Sequence, residues 1–261
     1  MPQIDVEKLR REAHARALGR ARRPFDGSVE DLQRGGVAMR RYRPALPRPD
    51  AAMVFLHGGY GLFGDLELQD RSCRRLAEEL GVVVLSVDYR LAPEASLDDS
   101  VADALDGVAL LAQDGFAQVF LCGDSAGGAV ARSAAVRTTS PVSGLLLTNP
   151  NLDLTLRSFD TDRPGGPDRE LSAFSFRSWA RVADLDEAPR LQLSAAGLPR
   201  TLVAVGSLDA LLPEARALAE TCRRDGVECR LVELSGAEHG FLGTDRAGEV
   251  LAEVRRFFGL G

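Results

Sequence analysis

AQVFLCGDSAGGAVARSAAV, residues 117–136, decides the fold. Its opening, AQVFLC, is a short apolar, β-rich run, and its close, AVARSAAV, has the composition of a helix. Between them GDSAGG (123–128) fits G-x-S-x-G, the pattern of a serine held on a strained strand-to-helix turn. Gly123 and Gly127 remove side chains that would clash in such a turn, so Ser125 projects its hydroxyl beyond the end of the strand. The helix start beneath it offers positive potential and free backbone N–H groups, with Ala126 placed to donate to an oxyanion. Read blandly, Gly-Ser-Gly is mere punctuation between two elements; the strand-turn-helix setting is what favours a nucleophile.

Outward from this stretch the same alternation repeats. Apolar runs occur at 51–56 (AAMVFL), 82–87 (VVVLSV), 142–148 (VSGLLLT), 200–206 (RTLVAVG) and 228–234 (ECRLVEL). Near-continuous apolar strands are those of a parallel sheet covered on both faces. Helical periodicity fills 70–80, 98–113, 126–138, 212–225 and 245–258, which predicts a doubly wound α/β sheet built from crossover units. GVAMRRYRP (36–44) reads as an antiparallel strand added at the edge.

Two regions break the rhythm. Residues 1–30 read as one or two amphipathic helices, and 150–197 contains the turn-rich FDTDRPGGPDRE followed by a helical pattern around Trp179. Because ligands of open α/β sheets bind beyond the carboxyl ends of the strands, both are placed to cover that crevice. The expected division is an arm at 1–35 contributing to a small helical cap, a core at 36–149 and 198–261, and a cap insertion at 150–197. Residues 160–170 read equally well as a plain surface elaboration.

A serine hydroxyl needs a base, and histidine titrates in the right range. Of the three histidines, His14 lies in the arm and His57 opens the loop HGGYG (57–61), which leaves His239 in AEHGF, just after the run ECRLVEL. The acid belongs on the loop after the preceding strand, where RTLVAVGSLDALLPE supplies Asp209 to hold the imidazole tautomer. Glu214 competes, but it falls in a first helical turn, where an acidic side chain has a structural reason to be. In HGGYG the amides of Gly58 and Gly59 can complete an oxyanion hole with Ala126, unless the glycines merely make a loop.

Composition narrows the class. A chain of 261 residues, 45% hydrophobic, can bury a core without staples, and a net charge of −6 with scattered basic residues offers no nucleic-acid footprint. The four cysteines lack metal or redox spacing and read as free thiols. The charged N-terminus lacks a signal-peptide pattern and no apolar run reaches the ~18 residues of a membrane span, so a soluble cytoplasmic protein without membrane partners is expected.

HGG (57–59), SVDYRLAPE (86–94), GDSAGG (123–128), the Leu-Asp pair ending at Asp209 and HGF (239–241) together resemble the hormone-sensitive-lipase-like carboxylesterases, bacterial family IV, of the α/β-hydrolase superfamily. The resemblance runs from about residue 36 to the C-terminus. It implies the α/β-hydrolase fold, an acyl-enzyme mechanism without metal or cofactor, short to medium acyl chains and a frequent homodimer. Tyr60 stands where this family has a third glycine, which is similar to the HGGY of arylformamidases. DALLPE replaces the usual DPL-acidic pattern, ASLDDS replaces a proline-containing segment, and the N-terminal arm is short. Tyr60 and Asp124 are the expected substrate contacts, Tyr60 either narrowing the pocket or only packing into the cap. The leading expectation is hydrolysis of a small carboxylic ester, with deacetylation of a specialised metabolite as a narrower form. The alternatives are an amidase or formamidase, a binding protein such as the gibberellin receptors, and a lyase on the same scaffold.

Overall fold

The computed structural model describes residues 4–260. Helix α1 (Val6–Leu18) is followed by strands β1 (Gly27–Arg34), β2 (Val37–Pro44) and β3 (Ala51–Leu56). Then come α2 (Asp70–Leu80), β4 (Val83–Val87), α3 (Leu97–Gln113), β5 (Gln118–Asp124), α4 (Ala126–Arg137) and β6 (Gly144–Thr148). Helix α5 (Arg169–Trp179), β7 (Thr201–Gly206), α6 (Leu212–Asp225), β8 (Cys229–Leu234) and α7 (Ala247–Phe258) complete the chain. The eight strands form one sheet in the order β1-β2-β4-β3-β5-β6-β7-β8. Strand β2 runs antiparallel to both β1 and β4, and the other pairs are parallel.

The central strands show why their sequences are uninterrupted in hydrophobicity. Ala52, Val54 and Leu56 of β3 join one core with α3, α4, α5 and α6, while Ala51, Met53 and Phe55 join a second core with α2 and α7. Residues alternate between two covered faces, so every position of β3 is fully buried. Strand β8 departs from this expectation of a buried run. As the sheet's edge it is only half-buried, and its outward positions are Arg230 and Glu233.

Residues 1–30, expected as helix, are helical only over Val6–Leu18; Gly27–Arg34 is a strand of the sheet. The reason lies in Gly35-Gly36, a two-residue loop with φ of 58° and 88° that pairs Arg34 with Val37 in a hairpin. Positive φ at both loop residues matches the twist of the two strands, and a hairpin partner turns a polar, edge-exposed segment into a strand. The segment ASLDDS also finds its purpose: Ser96 and Asp99 form a reciprocal capping box at the start of α3.

The region expected as a cap is fastened to the core. Phe176 and Trp179 of α5 are fully buried in the larger core, and the Trp179 indole N–H donates to Ser100 Oγ of α3 at 3.0 Å. Arg10 of α1 donates to the carbonyls of Leu62 and Ala92 and pairs with Glu94. Among the described residues, no helix is long and apolar enough to cross a membrane.

Candidate active site

Ser125 sits between β5 and α4 with φ 52° and ψ −118°, a strained geometry for a non-glycine residue. The turn survives because its neighbours enforce it. A Cβ on Gly127 would lie 2.1 Å from the Leu56 carbonyl oxygen, so only glycine lets α4 approach β3. The Ser125 N–H donates to the Thr148 carbonyl at 2.9 Å, and its own carbonyl accepts from the N–H groups of Gly128 and Asn151.

The hydroxyl meets His239, carried by the loop after β8, with Oγ to Nε2 at 2.9 Å. Imidazole Nδ1 lies 2.8 Å from Asp209 Oδ2 on the loop after β7. Asp209 is wholly buried, and its Oδ1 accepts the Leu211 N–H at 3.0 Å. Asn149, at the end of β6, supports the same pair. With its amide nitrogen toward the carboxylate it donates to Asp209 Oδ2 at 3.0 Å, and its oxygen accepts from the Gly240 N–H at 3.3 Å. Burial pulls the His239 pKa down, but the Asp209 hydrogen bond and the negative charges of Asp209 and Asp124 outweigh it, leaving the value above the usual imidazole range. Glu214, the competing acid, is turned elsewhere. It is fully buried and takes the N–H groups of Leu152 and Asp153, and burial pushes its pKa up to about 8.

The amides of Gly58, Gly59 and Ala126 have no hydrogen-bond acceptor among the described residues, and Gly58 lies against the serine, where a Cβ on it would fall 3.0 Å from Ser125 Cβ. Unpaired donors next to a serine hydroxyl are the arrangement that suits a developing oxyanion. Their loop is held from behind. The Tyr89 hydroxyl donates to the His57 carbonyl at 2.6 Å, its ring stacks on the His57 imidazole at 4.3 Å, and His57 Nδ1 lies 2.8 Å from the Gly58 carbonyl oxygen. Burial lowers the His57 pKa, so it braces the loop as a neutral ring.

The two expected substrate contacts are both engaged by the protein. The Asp124 carboxylate accepts from Thr148 Oγ1 at 2.7 Å and Gln69 Nε2 at 3.3 Å, and burial raises its pKa. The Tyr60 hydroxyl accepts the N–H of Asp168 at 2.7 Å, and the Tyr60 carbonyl accepts from Ser175 Oγ. Tyr60 thus ties the glycine loop to the N-terminal end of α5, where the Asp168 side chain caps the helix through Leu171 N–H.

From that point the turn-rich segment 159–168 runs back as a strap to the loop bearing Asp209. Gly165 N–H donates to Leu208 O at 3.0 Å, Ala210 N–H to Gly165 O at 2.8 Å, and Asp160 N–H to Ala210 O at 3.0 Å. These strap contacts, and the roles of Tyr89, Asn149 and Asn151, escape sequence reasoning. The one available signal for the asparagines is their place in TNPN, which begins with the last residue of β6 at the same rim as Ser125. Cys73, Cys122 and Cys222 are buried and Cys229 partly so, all as free thiols. No group of three or more His, Cys, Asp or Glu side chains is placed to hold a metal among the described residues.

Residues 53–243 match a protein family described as alpha/beta hydrolase fold. The chain is 31% identical to the carboxylic ester hydrolase LipN of Mycobacterium tuberculosis, over 92% of its own length and 71% of that protein. It is 29% identical to an ethyl acetate hydrolase of Pseudomonas putida, over 97% of this chain and 87% of that one. An esterase structure from Pyrobaculum calidifontis superposes with a TM-score of 0.84 at 29% identity, covering 99% of this chain and 94% of the other. With the eight-stranded sheet, the serine turn and the matched span all in agreement, the chain belongs to the hormone-sensitive-lipase-like esterase family of the α/β hydrolases.

Proposed function

We propose that the protein hydrolyses small carboxylic esters through an acyl-enzyme formed on Ser125, with His239 as base and Asp209 as the carboxylate that orients it. The observation that carries this reading is the continuous hydrogen-bonded series from Asp209 to His239 to Ser125, at 2.8 and 2.9 Å, beside three unpaired amides. In the reaction His239 Nε2 takes the hydroxyl proton as Oγ attacks the ester carbonyl. The carbonyl oxygen gains negative charge and is met by the amides of Gly58, Gly59 and Ala126. Collapse of that intermediate passes the proton from His239 to the departing alcohol and leaves the acyl group on Oγ. Water then repeats the sequence and frees the acid.

Esters are favoured over amides on two grounds. Two relatives are named for ester hydrolysis, one of them for ethyl acetate, which supports a short acyl group such as acetyl. Tyr60, whose place in HGGY suggested amide cleavage, has a structural task instead, its hydroxyl accepting the Asp168 N–H and tying the glycine loop to α5. An intact Ser-His-Asp series also favours hydrolysis over pure binding or elimination.

The test pairs nitrophenyl acetate with an N-formyl arylamine, run on the protein and on Ser125→Ala. Ester turnover is expected to dominate and to fall ~10⁶-fold in the variant, with fluorophosphonate labelling lost. Higher formamide turnover would reverse the substrate assignment, and persistent labelling of Ser125→Ala would put the nucleophile elsewhere.

A further inference from the structure

Ser125 Oγ has a second polar neighbour besides His239. Asn151 is 2% exposed, its Oδ1 lies 3.3 Å from Oγ, and its Nδ2 has no hydrogen-bond partner. Counting protons shows that this orientation does not suit the resting site. A neutral His239 that donates Nδ1–H to Asp209 has a lone pair on Nε2, and that lone pair takes the single hydroxyl proton of Ser125. No proton then remains for Asn151 Oδ1. Meanwhile a buried NH₂ lacks any acceptor, which is the costlier kind of orphan.

Turning the amide over removes both problems. The nitrogen then donates to an Oγ lone pair, Oγ donates to His239, and the atom left without a partner is a carbonyl oxygen. When His239 is protonated the roles reverse: Nε2–H donates to Oγ, and the hydroxyl proton goes to Asn151 Oδ1.

Resting on the hydrolase reading above, we propose that Asn151 is a further catalytic residue whose side-chain N–H donates to Ser125 Oγ. It holds the hydroxyl aimed at His239 and stabilises negative charge on Oγ as the proton leaves. The same donor acts again when Oγ departs from the acyl group in deacylation. Asn151 is well fixed for this task. Its backbone N–H binds the Ser125 carbonyl at 3.0 Å, and the next two amides, of Leu152 and Asp153, are held by Glu214. One residue thus grips the nucleophile at both its carbonyl and its hydroxyl.

The test uses Asn151→Leu and the isosteric Asn151→Asp, with thermal unfolding as the check on folding. Nitrophenyl acetate turnover and the fluorophosphonate labelling rate are measured for each. Asn151→Leu is expected to lower both ~10- to 100-fold, the value of one hydrogen bond to a charging atom, with KM little changed. In Asn151→Asp an ionised carboxylate has no proton to give and draws the Ser125 proton away from His239. Its activity relative to the wild type is therefore expected to fall as pH rises. The ionisable groups around this position, His239, Asp209, Asp124, Asp153 and Glu214, are common to both proteins, so the comparison is the ratio of the two profiles. Near-wild-type rates in Asn151→Leu, or a ratio for Asn151→Asp near one at every pH, would overturn the proposal. If the leucine variant does not fold, the aspartate profile decides alone. Absence of fluorophosphonate labelling in the wild type would instead remove the hydrolase reading, and this role with it.

Discussion

The turn at Ser125 and the strap at 159–168 lie at the same rim of the sheet, yet they are built in opposite ways. The turn is made by neighbours in sequence: β5 feeds it, α4 leaves it, and Gly127 sets the spacing to Leu56. The strap has no regular structure of its own and takes its position from remote partners, Leu208 and Ala210 at one end and Tyr60 at the other. The serine is thus carried by a locally determined element, while the strap is placed by long-range contacts. The difference teaches that the geometry of the serine turn and the placement of the strap can vary separately in this chain.

Asp209 is the sharpest place to break that separation, because its side chain serves the serine and its backbone region pairs with the strap. Asp209→Asn keeps the backbone pairing but favours the wrong imidazole tautomer, so turnover is expected to fall ~10⁴-fold while thermal stability changes little. The proposed mechanism requires neutral His239, whose pKa is raised above its ordinary 6.5, so the wild-type acid limb is expected above that value. The substitution removes the hydrogen bond and charge that raise it, and the limb of the residual activity should move to lower pH. A large loss of stability with an unmoved limb would mean that Asp209 mainly supports the strap.

Tyr60→Phe addresses the other end of the strap. It deletes the bond to the Asp168 N–H but keeps the ring, at a cost of about 1 kcal/mol for one hydrogen bond. The expected result is a severalfold shift in preference between short and bulky esters, with fluorophosphonate labelling of Ser125 near normal. Labelling that collapsed in Tyr60→Phe would show the turn to depend on the strap after all.

The smallest effect on turnover is expected from Glu214→Gln, which leaves one side-chain oxygen to accept from Leu152 and Asp153. Burial raises the Glu214 pKa to about 8 in the folded protein, above its ordinary 4.5. The folded state therefore holds a proton that the unfolded chain releases, and stability from this group is full below 4.5 and lost as pH rises through about 8. Melting temperatures of Glu214→Gln should show a flatter decline across that window. An unchanged slope would place the titration elsewhere.

What the sequence made legible follows the same division. AQVFLCGDSAGG encodes its own strand, turn and spacing within a dozen residues, and HGG does so for its loop. His239 and Asp209 were accessible because few candidates existed and each followed an apolar run, so topology brought them to one rim. The structure places them within hydrogen-bonding distance of one another. The hairpin of β1 and β2 was missed because a polar edge strand lacks strong apolar alternation, although Gly35-Gly36 marked its turn. The strap was illegible for a different reason: its bonds are between backbone groups, which leave no signature in residue type. Asn151 was hidden likewise, since a single asparagine after a strand reads as a turn former.

Phe176 and Trp179 decide how firmly α5 is seated on the sheet. Hinging α5 away from the sheet would bring two large aromatic side chains into water, at roughly 1.5–3 kcal/mol for a ring the size of phenylalanine and comparably for indole. Together these cost about 3–6 kcal/mol, which leaves roughly one molecule in a hundred and fifty or fewer with α5 lifted at any moment. Helix α5 is therefore held as a fixed part of the larger core.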